Sequence, residues 1–365
     1  MLPFKSPLEP MLSQAQEEMP SGDGWLYEPK WDGFRAIVFR EKDKVHICSR
    51  RGQPLERYFP EVIAGLKKSL PEEVICDGEI ILPGPKGLDF DALSQRIHPA
   101  PSRINRLAAE TPAGYVAFDL LALGEKDLRP IKNSDRRKLL LENFQIHGSF
   151  FVTPQTMQLD EAKRWFTEFE GAGCDGIIAR RGDLDYQPGK RVMVKIKHHR
   201  TADVVIGGYR PGKKPDSVGS LLLGVYDEDG VLHHIGHTSS FTAKEKRELL
   251  VKLKPLEGGE GFYGGKMPDM AATNRWAAAK AKEAKEKGEE GPMSVKLHPK
   301  LVIEVRYDYL QGKRFRHAST FLRWREDKAP KDCNFAQLLP PNPFSLAKII
   351  ALSPGKALDA KPEVK

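Results

Sequence analysis

A lysine placed between two apolar strand patterns is the feature that most restricts how this chain can fold. The stretch EPKWDGFRAIVFR at residues 28–40 predicts the end of one β-strand, a tight loop and the start of a second strand. The loop contains Lys30, Asp32 and Gly33, and Arg35 follows it. Two flanking strands can hold such a lysine rigidly. The simpler alternative is an ordinary β-hairpin with a surface lysine at its Asp-Gly turn.

Composition narrows the class of protein without deciding its function. The chain has 365 residues, 40% of them hydrophobic, which predicts two domains of ordinary size. No apolar run is long enough to span a membrane, and the N-terminus lacks the pattern of a signal peptide. Four scattered cysteines without a CxxC pair argue against structural zinc and fit a reducing cytosol. The net charge of +8 is compatible with a nucleic-acid partner or with a solvated basic surface.

Two segments after the lysine place charged residues in strand patterns. SRRG at 49–52 predicts a basic turn that contains Arg50. VICDGEIIL at 74–82 predicts a buried strand interrupted by Asp77 and Glu79. A carboxylate in such a strand is costly unless it is paired, hydrogen-bonded or bound to metal. Glu79 is therefore a candidate site residue, and the alternative is a turn at Asp77 with Glu79 in a structural ion pair.

Three later segments continue this mixture of apolar strands and single polar or aromatic residues. YVAFDLLAL at 115–123 contains Phe118, and GCDGIIARR at 173–181 contains Asp175 and Ile178. In KIK, Lys195 and Lys197 are two residues apart, so both point to one face of a strand. Two cations on one face suit a triphosphate and would help to lower the pKa of Lys30, although basic strand faces are often merely solvated. The predicted helices lie at 61–70, 133–145 and 158–171, with a helical patch at 10–18 in an N-terminal arm.

The pattern changes near residue 200. Short strands at 202–209, 220–227, 231–238 and 301–310 predict a small Greek-key barrel, for which the OB-fold is the natural candidate. Residues 242–253 predict the helix that plugs such a barrel. An Ala/Lys/Glu-rich stretch at 276–290 predicts an exposed helix or insertion, because its four Lys and four Glu cancel in charge. The order is thus an α+β domain with antiparallel sheets at 1–200, an OB-fold domain at 201–340 and a loose tail at 341–365.

Seven short motifs, taken in order, resemble those of the covalent nucleotidyltransferases, which include DNA ligases, RNA ligases and mRNA capping enzymes. They are KWDGFR, SRRG, DGE, FD, DG, KIK and, within RWREDKAP at 323–330, RxDK. One motif can match by chance, but seven in the family's order cannot reasonably do so. The sequence around these motifs is most similar to that of ATP-dependent DNA ligases, especially the small bacterial ligase C type and the ligase domain of ligase D.

The resemblance implies a role for each matching residue. Lys30 would attack the α-phosphate of ATP and carry AMP as a phosphoramidate. Gly33 would let the backbone approach the nucleotide. The implied nucleotide-binding residues are Glu28, Arg35, Arg50, Glu79, Phe118, Ile178, Lys195 and Lys197. Glu79 and Asp175 would bind Mg²⁺ or Mn²⁺, and Arg325, Asp327 and Lys328 of the OB domain would orient the departing phosphates. Asp175 and Arg180 stand where the family usually has Glu and Lys, which puts the metal geometry in question.

The implied activity is the sealing of 5′-phosphate/3′-hydroxyl nicks in duplex DNA, in DNA repair. The resemblance further implies a monomer in the bacterial cytoplasm at the nucleoid, with a Ku-like end binder or a primase-polymerase as possible repair partners and no membrane. A capping enzyme that uses GTP and an RNA ligase stay open as alternatives within the fold. A nucleic-acid binding module without catalysis is the alternative of a different class.

Overall fold

The computed structural model describes residues 1–212, 214, 216–263, 294–338, 342–354 and 356–357. The chain divides into two compact units. The first comprises Met1–His198 and Pro340–Lys365, and the second comprises His199–Leu339. The predicted insertion at 276–290 lies outside the described residues.

The elements are as follows. The β-strands are β1 (Leu12–Ala15), β2 (Trp25–Pro29), β3 (Phe34–Glu41), β4 (Lys44–Ser49), β5 (Glu73–Ile81), β6 (Pro83–Gly84), β7 (Gly87–Leu88), β8 (Gly114–Leu123), β9 (Lys126–Asp127), β10 (Gln145–Ile146), β11 (Phe150–Val152), β12 (Gly176–Arg181), β13 (Arg191–Lys197), β14 (Arg200–Pro211), β15 (Val218–Tyr226), β16 (Leu232–Thr238), β17 (Val295–Lys296), β18 (Val302–Tyr307), β19 (Leu310–Gln311), β20 (Arg314–Phe315), β21 (Thr320–Trp324) and β22 (Lys356–Ala357). The α-helices are α1 (Pro60–Ser69), α2 (Phe90–Ser94), α3 (Pro101–Glu110), α4 (Asn133–Asn143), α5 (Leu159–Phe169), α6 (Ala243–Leu253) and α7 (Leu346–Ile350).

The first unit is built on two mostly antiparallel sheets. One sheet has the order β1-β13-β12-β2, and the other has the order β11-β8-β5-β3-β4 with β9 paired to β8. Each contains one parallel pair, β1 with β13 and β11 with β8. The predicted α+β class with antiparallel sheets is confirmed, with these two parallel pairs added.

Buried side chains cover both faces of the larger sheet. One face packs on α1, α2 and α4 through residues such as Val62, Leu93 and Leu140. The opposite face meets the smaller sheet in a cluster that joins Ile37 and Phe39 of β3 to residues of the smaller sheet and its connections. The two sheets therefore lie against each other, and a site can form where their edges diverge.

The N-terminal arm differs from its prediction. Residues 12–15 form β1, a parallel partner of β13, where a helical patch was expected. Met11 is buried, and its backbone N–H donates to the Tyr186 hydroxyl at 3.1 Å. Helix-forming residue types set only a weak preference, and here pairing with a distant strand overrides it.

The expected loose tail is wrong for the described residues 342–354. They contain α7, whose Leu346 and Ile349 are buried in the core cluster around α5. Phe344 lies against Phe169, with 5.4 Å between the ring centroids. The Pro-, Lys- and Ala-rich composition concealed this short apolar stretch, which returns to the first unit.

The second unit is a curved antiparallel sheet of order β16-β15-β14-β18-β21, with β17 paired to β14. A parallel bridge between Thr238 and Ser319 brings the end of β16 beside the start of β21. Between β16 and β17, α6 places Leu249 and Leu253 in the core of the sheet, as predicted for residues 242–253. The arrangement is consistent with an OB-fold. Its fifth strand, β21, was not predicted.

Among the described residues, no helix combines the length and the apolar character needed to cross a lipid bilayer.

Candidate active site

The loop that carries Lys30 connects the two sheets of the first unit. β2 ends at Pro29 in the smaller sheet, and β3 begins at Phe34 in the larger one. The two strands do not pair, so the alternative of an ordinary hairpin is excluded. The Lys30 N–H donates to the Gly176 carbonyl at 2.8 Å, and the Asp175 N–H donates to the Lys30 carbonyl at 2.8 Å. These bonds fix the lysine beside the start of β12.

Gly33 is required for a reason other than the expected one. A Cβ at this position would collide with the Ile80 carbonyl oxygen and with Cγ of Glu79. Glycine therefore lets the loop lie directly on β5, which also brings Glu79 close to the lysine loop. Gly78 is equally confined, because a Cβ there would collide with the Tyr115 ring. No turn forms at Asp77 and Gly78, and β5 continues through both residues.

A cavity of about 280 Å³ opens beside Lys30. Every nucleotide-binding candidate named from the sequence lines it together with Lys30: Glu28, Arg35, Arg50, Glu79, Phe118, Ile178, Lys195 and Lys197. They come from β2, β3, β5, β8, β12 and β13 and from the turn after β4. Both sheets thus contribute to one site, although the candidates are spread over most of the first unit's sequence.

Lys30, Asp175 and Lys197 form a compact charged group at the cavity. Nζ of Lys30 lies 2.6 Å from Oδ2 of Asp175, and Nζ of Lys197 lies 2.9 Å from the same oxygen. Asp175 therefore reaches both lysines although it is one methylene shorter than the glutamate usual in the family. Its carboxylate holds two cations that would otherwise repel each other.

The charges set the pKa of Lys30 in the direction opposite to the expected one. Burial alone would lower the pKa of Lys30, but the adjacent Asp175 carboxylate outweighs burial, and the net shift is upward. Burial would raise the pKa of Asp175, and Lys30 with Lys197 lower it overall. The effect expected from neighbouring cations occurs at Lys195, whose pKa is lowered by burial, by Lys197 and by Lys30. Without substrate, Lys30 is a protonated partner of Asp175.

A buried carboxylate that the motif comparison did not assign holds Arg35 in the site. Nε and Nη2 of Arg35 each donate to Asp77 at 2.6 Å, and the Tyr186 hydroxyl donates to the same carboxylate at 2.6 Å. Asp77 is fully buried, so this bidentate pair strongly constrains the guanidinium. The guanidinium carbon lies 4.4 Å from the centroid of the Phe118 ring. Arg35 is therefore a positioned cation beside the aromatic ring expected to contact the purine.

Arg180 replaces the family's usual lysine and belongs to a buried ion-pair network. It donates to Glu28 at 2.9 Å and to Asp119 at 3.2 Å, and Arg136 donates to Asp119 at 2.7 Å. Gln155 donates to the other oxygen of Glu28 at 2.7 Å. Two carboxylates and two guanidinium groups balance in charge. The network fixes Glu28 at the edge of the cavity, so this departure from the family pattern has a structural explanation.

Glu79 and Asp175 are the carboxylates that the sequence predicted to bind a metal ion, and Asp175 is paired with Lys30 and Lys197 in this structure. In the parts of the chain that the structure describes, no three His, Cys, Asp or Glu side chains form a group that could hold a metal. Mg²⁺ usually retains several waters and binds through one or two carboxylates together with substrate phosphates. Burial raises the pKa of Glu79 to about 8, although Arg35 and Lys30 act in the opposite direction. A half-buried carboxyl at the cavity whose pKa is raised in this way fits a cation that arrives with the nucleotide.

We expect the free energy of unfolding of the protein to depend on the ionisation of Glu79. The folded-state pKa of about 8 lies above the unfolded value, so folding favours the protonated form. Stability should therefore fall as pH rises from about 4.5 to about 8. Glu79→Gln removes this contribution. The parent should therefore lose free energy of unfolding over that window and the variant should not. The difference between the two should grow in favour of the variant by on the order of a few kcal/mol and then level off.

Urea unfolding between pH 5 and 9 is the measurement, with exposed Glu168→Gln on α5 as the control. The control should leave the pH profile of the parent unchanged. Parallel profiles for the parent and Glu79→Gln would contradict a raised pKa at Glu79.

The last sequence motif lies in the second unit and is held there by one aspartate. Arg325 donates to Asp203 at 2.7 Å, and Lys328 donates to the other oxygen of Asp203 at 3.0 Å. Arg325 also pairs with Asp327 at 2.9 Å. The Gln337 side chain bonds to both the backbone N–H and the carbonyl of Asp203. Asp203, which Gln337 fixes in place, thus holds the Arg325 and Lys328 side chains next to each other.

Some residues at the cavity were missed by sequence reasoning. The N-terminal arm contributes Pro10, Met11, Leu12 and Ser13, and β13 contributes Met193. The apolar residues around Met11 were a possible signal, but nothing in their local pattern indicated the partner strand. Asp77 was noticed as a costly carboxylate, and its partner Arg35 could be identified only from the fold.

Comparisons with known proteins identify the family of this chain. The model of the ATP dependent DNA ligase domain matches residues 10–197, and that of the ATP dependent DNA ligase C terminal region matches residues 214–328. The chain is 45% identical to DNA ligase C of Mycobacterium tuberculosis, over 96% of this chain and 98% of the relative.

Two further similarities are weaker. The chain is 30% identical to the multifunctional non-homologous end joining protein LigD of Mycobacterium bovis, over 84% of this chain and 37% of that protein. A solved structure from a study of Lig E DNA ligases has a TM-score of 0.52 at 16% identity, over 86% of this chain and 99% of that one. The latter shows the fold alone. The two family models and the similarity to DNA ligase C show that the chain belongs to the ATP-dependent DNA ligases.

Proposed function

We propose that this protein seals 5′-phosphate/3′-hydroxyl nicks in duplex DNA through a lysyl-AMP intermediate on Lys30. The observation that supports it most directly is the position of Lys30. Its amine lies at a cavity lined by Lys195, Lys197 and Arg50 and is held 2.6 Å from the Asp175 carboxylate. In this proposal the first unit is the nucleotidyltransferase domain and the second is the OB-fold domain.

In the first step, Nζ of Lys30 forms a bond to the α-phosphorus of ATP, and the bond to pyrophosphate breaks. The amine must first lose a proton to solvent, and its ion pair with Asp175 opposes this loss until the nucleotide and its cation weaken that pair. Lys195 and Lys197 stabilise phosphate charge, and Phe118 and Ile178 contact the purine. A bound Mg²⁺ or Mn²⁺, held by Glu79 and Asp175, would offset phosphate charge and favour the neutral amine.

In the second step, AMP passes from Lys30 to the 5′-phosphate at the nick, and the lysine amine is the leaving group. In the third step, the 3′-hydroxyl attacks that phosphate and AMP departs. Arg50 is placed to contact the nick phosphate, since it is exposed at the rim of the cavity. Positioning and electrostatic stabilisation supply most of the acceleration in such phosphoryl transfers. Arg325, Asp327 and Lys328 orient the departing β- and γ-phosphates in the first step.

The biological setting is part of the same proposal. The similarity to a protein named for non-homologous end joining supports a role in DNA repair. We propose a monomer that acts in the bacterial cytoplasm at the nucleoid, and that a Ku-like end binder or a primase-polymerase recruits it to breaks.

The test is incubation with ATP, Mg²⁺ and a duplex that carries a single nick. We expect sealing of the 5′-phosphorylated nick, release of AMP, and no sealing of a nick with a 5′-hydroxyl. Labelled ATP should label the protein, and labelled GTP should not. Label from GTP would instead indicate capping chemistry, label from ATP with sealing of RNA alone would indicate an RNA ligase, and no label with retained DNA binding would indicate a binding module.

A further inference from the structure

Tyr186 connects the N-terminal arm to the nucleotide cavity, although none of the seven sequence motifs includes it. It belongs to the buried cluster that joins the two sheets of the first unit, and it is only 3% exposed. Its backbone N–H donates to the Arg129 carbonyl at 2.8 Å, and its hydroxyl accepts a hydrogen bond from the Met11 N–H at 3.1 Å. The side chain is therefore held both at its backbone and at its hydroxyl.

The same hydroxyl donates to a carboxylate that also holds a cavity residue. The Tyr186 hydroxyl and Nη2 of Arg35 both donate to Oδ2 of Asp77 at 2.6 Å, and Nε of Arg35 donates to Oδ1 at 2.6 Å. Asp77 is fully buried on β5. A carboxylate with both oxygens bonded cannot rotate about its Cβ–Cγ bond without losing a hydrogen bond. The hydroxyl therefore helps to fix the plane of the bidentate pair, and with it the Arg35 guanidinium.

The Tyr186 hydroxyl acts as a permanent donor to Asp77. Burial and the adjacent Asp77 carboxylate raise the pKa of Tyr186 well above its usual value, so the hydroxyl keeps its proton at neutral pH. Hydrogen bonds to charged groups are stronger than those between neutral groups. Loss of the hydroxyl would leave Asp77 with Arg35 as its remaining side-chain partner and would remove the acceptor of the buried Met11 N–H.

Arg35 lies at the cavity end of this series of contacts. Its side chain is 20% exposed, it lines the cavity, and its guanidinium carbon lies 4.4 Å from the centroid of the Phe118 ring. With the purine against Phe118, as proposed above, the sugar bonded to the purine comes next to this guanidinium. A guanidinium has five N–H donors, so Arg35 retains donors for a sugar hydroxyl beyond the two that Asp77 accepts.

We propose that Tyr186 is a positioning residue for the nucleotide, which acts through Asp77 on the contact between Arg35 and a sugar hydroxyl. Because the Tyr186 hydroxyl also accepts the Met11 N–H, the N-terminal arm supports the same contact. This role rests on the use of ATP proposed above, and it concerns nucleotide binding and not the chemical step. A tyrosine that only packed the core would affect all nucleotides alike and would act independently of Arg35.

The experiment compares Tyr186→Phe with Tyr209→Phe, a matched control in the second unit. Tyr209 is 4% exposed and also donates to a carboxylate at 2.6 Å, that of Glu257. Lysyl-AMP formation is followed in single turnovers over a range of ATP concentrations, and calorimetry gives the ATP dissociation constant in a Lys30→Ala background, where no reaction follows. We expect Tyr186→Phe to raise the half-saturating ATP concentration and the dissociation constant about 5- to 10-fold, with the maximal rate within about 2-fold of the parent. The control should match the parent.

Nucleotide selectivity shows whether the hydroxyl acts on the sugar contact. The parent should prefer ATP to 2′-deoxy-ATP or to 3′-deoxy-ATP, and Tyr186→Phe should reduce that preference by about the factor that it loses in ATP affinity. Equal weakening for ATP and for both analogues would contradict the proposal, because it would assign Tyr186 to general support of the cavity.

A double-mutant cycle tests whether the effect passes through Arg35. In an Arg35→Lys background the bidentate pair with Asp77 is absent, so Tyr186→Phe should weaken ATP binding by less than about 2-fold. Arg35→Gln serves the same purpose if Arg35→Lys does not fold, as judged by circular dichroism. Effects of the two substitutions that simply multiply would overturn the proposal, as would a Tyr186→Phe protein that does not fold.

The two readouts separate this role from the proposed function. A parent that binds ATP but forms no lysyl-AMP would refute the ligase mechanism, while the dissociation constants would still decide the role of Tyr186. A parent that binds no ATP would refute both.

Discussion

Lys30→Ala should abolish the formation of lysyl-AMP, with a loss on the order of 10³-fold or more, as expected when a covalent nucleophile is removed. Sealing of a phosphorylated nick from ATP should fall equally. Sealing of a nick that already carries AMP on its 5′-phosphate should be retained in large part, because the attack by the 3′-hydroxyl does not use the lysine as a nucleophile. The measurements are label transfer from ATP and gel assays of the two nicked substrates.

Lys30→Arg distinguishes the nucleophile from the ion pair. An arginine can keep a charge beside Asp175, but its guanidinium stays protonated and cannot attack phosphorus. We expect it to lose lysyl-AMP formation as completely as the alanine variant. Lys163→Ala on the exposed side of α5 is the matched control and should behave as the parent. Labelling of Lys30→Ala at the parental level would show that the nucleotide is carried elsewhere.

Asp119→Asn should lower the free energy of unfolding by about 3–5 kcal/mol, the usual cost of removing one partner from a buried ion pair. Asp119 is only 2% exposed and accepts hydrogen bonds from both Arg136 and Arg180. The amide would leave two buried guanidinium groups with only Glu28 as a counter-charge in this network. Urea unfolding at neutral pH, followed by circular dichroism, measures the change.

Asp183→Asn provides the comparison for the same chemical change at an exposed pair. Asp183 bonds to Arg181 at 3.0 Å, but its side chain is 57% exposed. Exposed ion pairs contribute little, so this variant should unfold nearly as the parent does. Similar losses for Asp119→Asn and Asp183→Asn would show that the buried network does not stabilise the fold as described.

The strand and helix patterns were sufficient to predict the α+β class, and the resemblance to covalent nucleotidyltransferases identified the residues that the fold brings to one cavity. Lys30 and Glu79 were also visible from their local patterns, because an amine or a carboxylate between apolar strand residues is costly to bury without a partner. Phe118 was identified only through the resemblance, since a phenylalanine in a strand is usually part of the core. The barrel strands were visible for a related reason, since alternation and turn residues are properties of neighbouring positions.

Contacts between distant residues were not visible in this way. Lys30 pairs with Asp175 across 145 positions, and Glu28 pairs with Arg180 across 152. These pairings reverse the expected direction of the Lys30 pKa and explain the arginine at position 180. β1 and α7 also form through contacts with partners far along the chain. Local composition therefore predicted a helical patch in place of β1 and a loose tail in place of α7.

The sequence by itself determined which chemical groups this protein has and the order in which they occur, because those follow from residue types and short-range patterns. Only the tertiary structure decided which charges neutralise each other. The physical reason is that electrostatic interactions and desolvation depend on separation in space, and the fold brings Lys30 beside Asp175 and Arg180 beside Glu28.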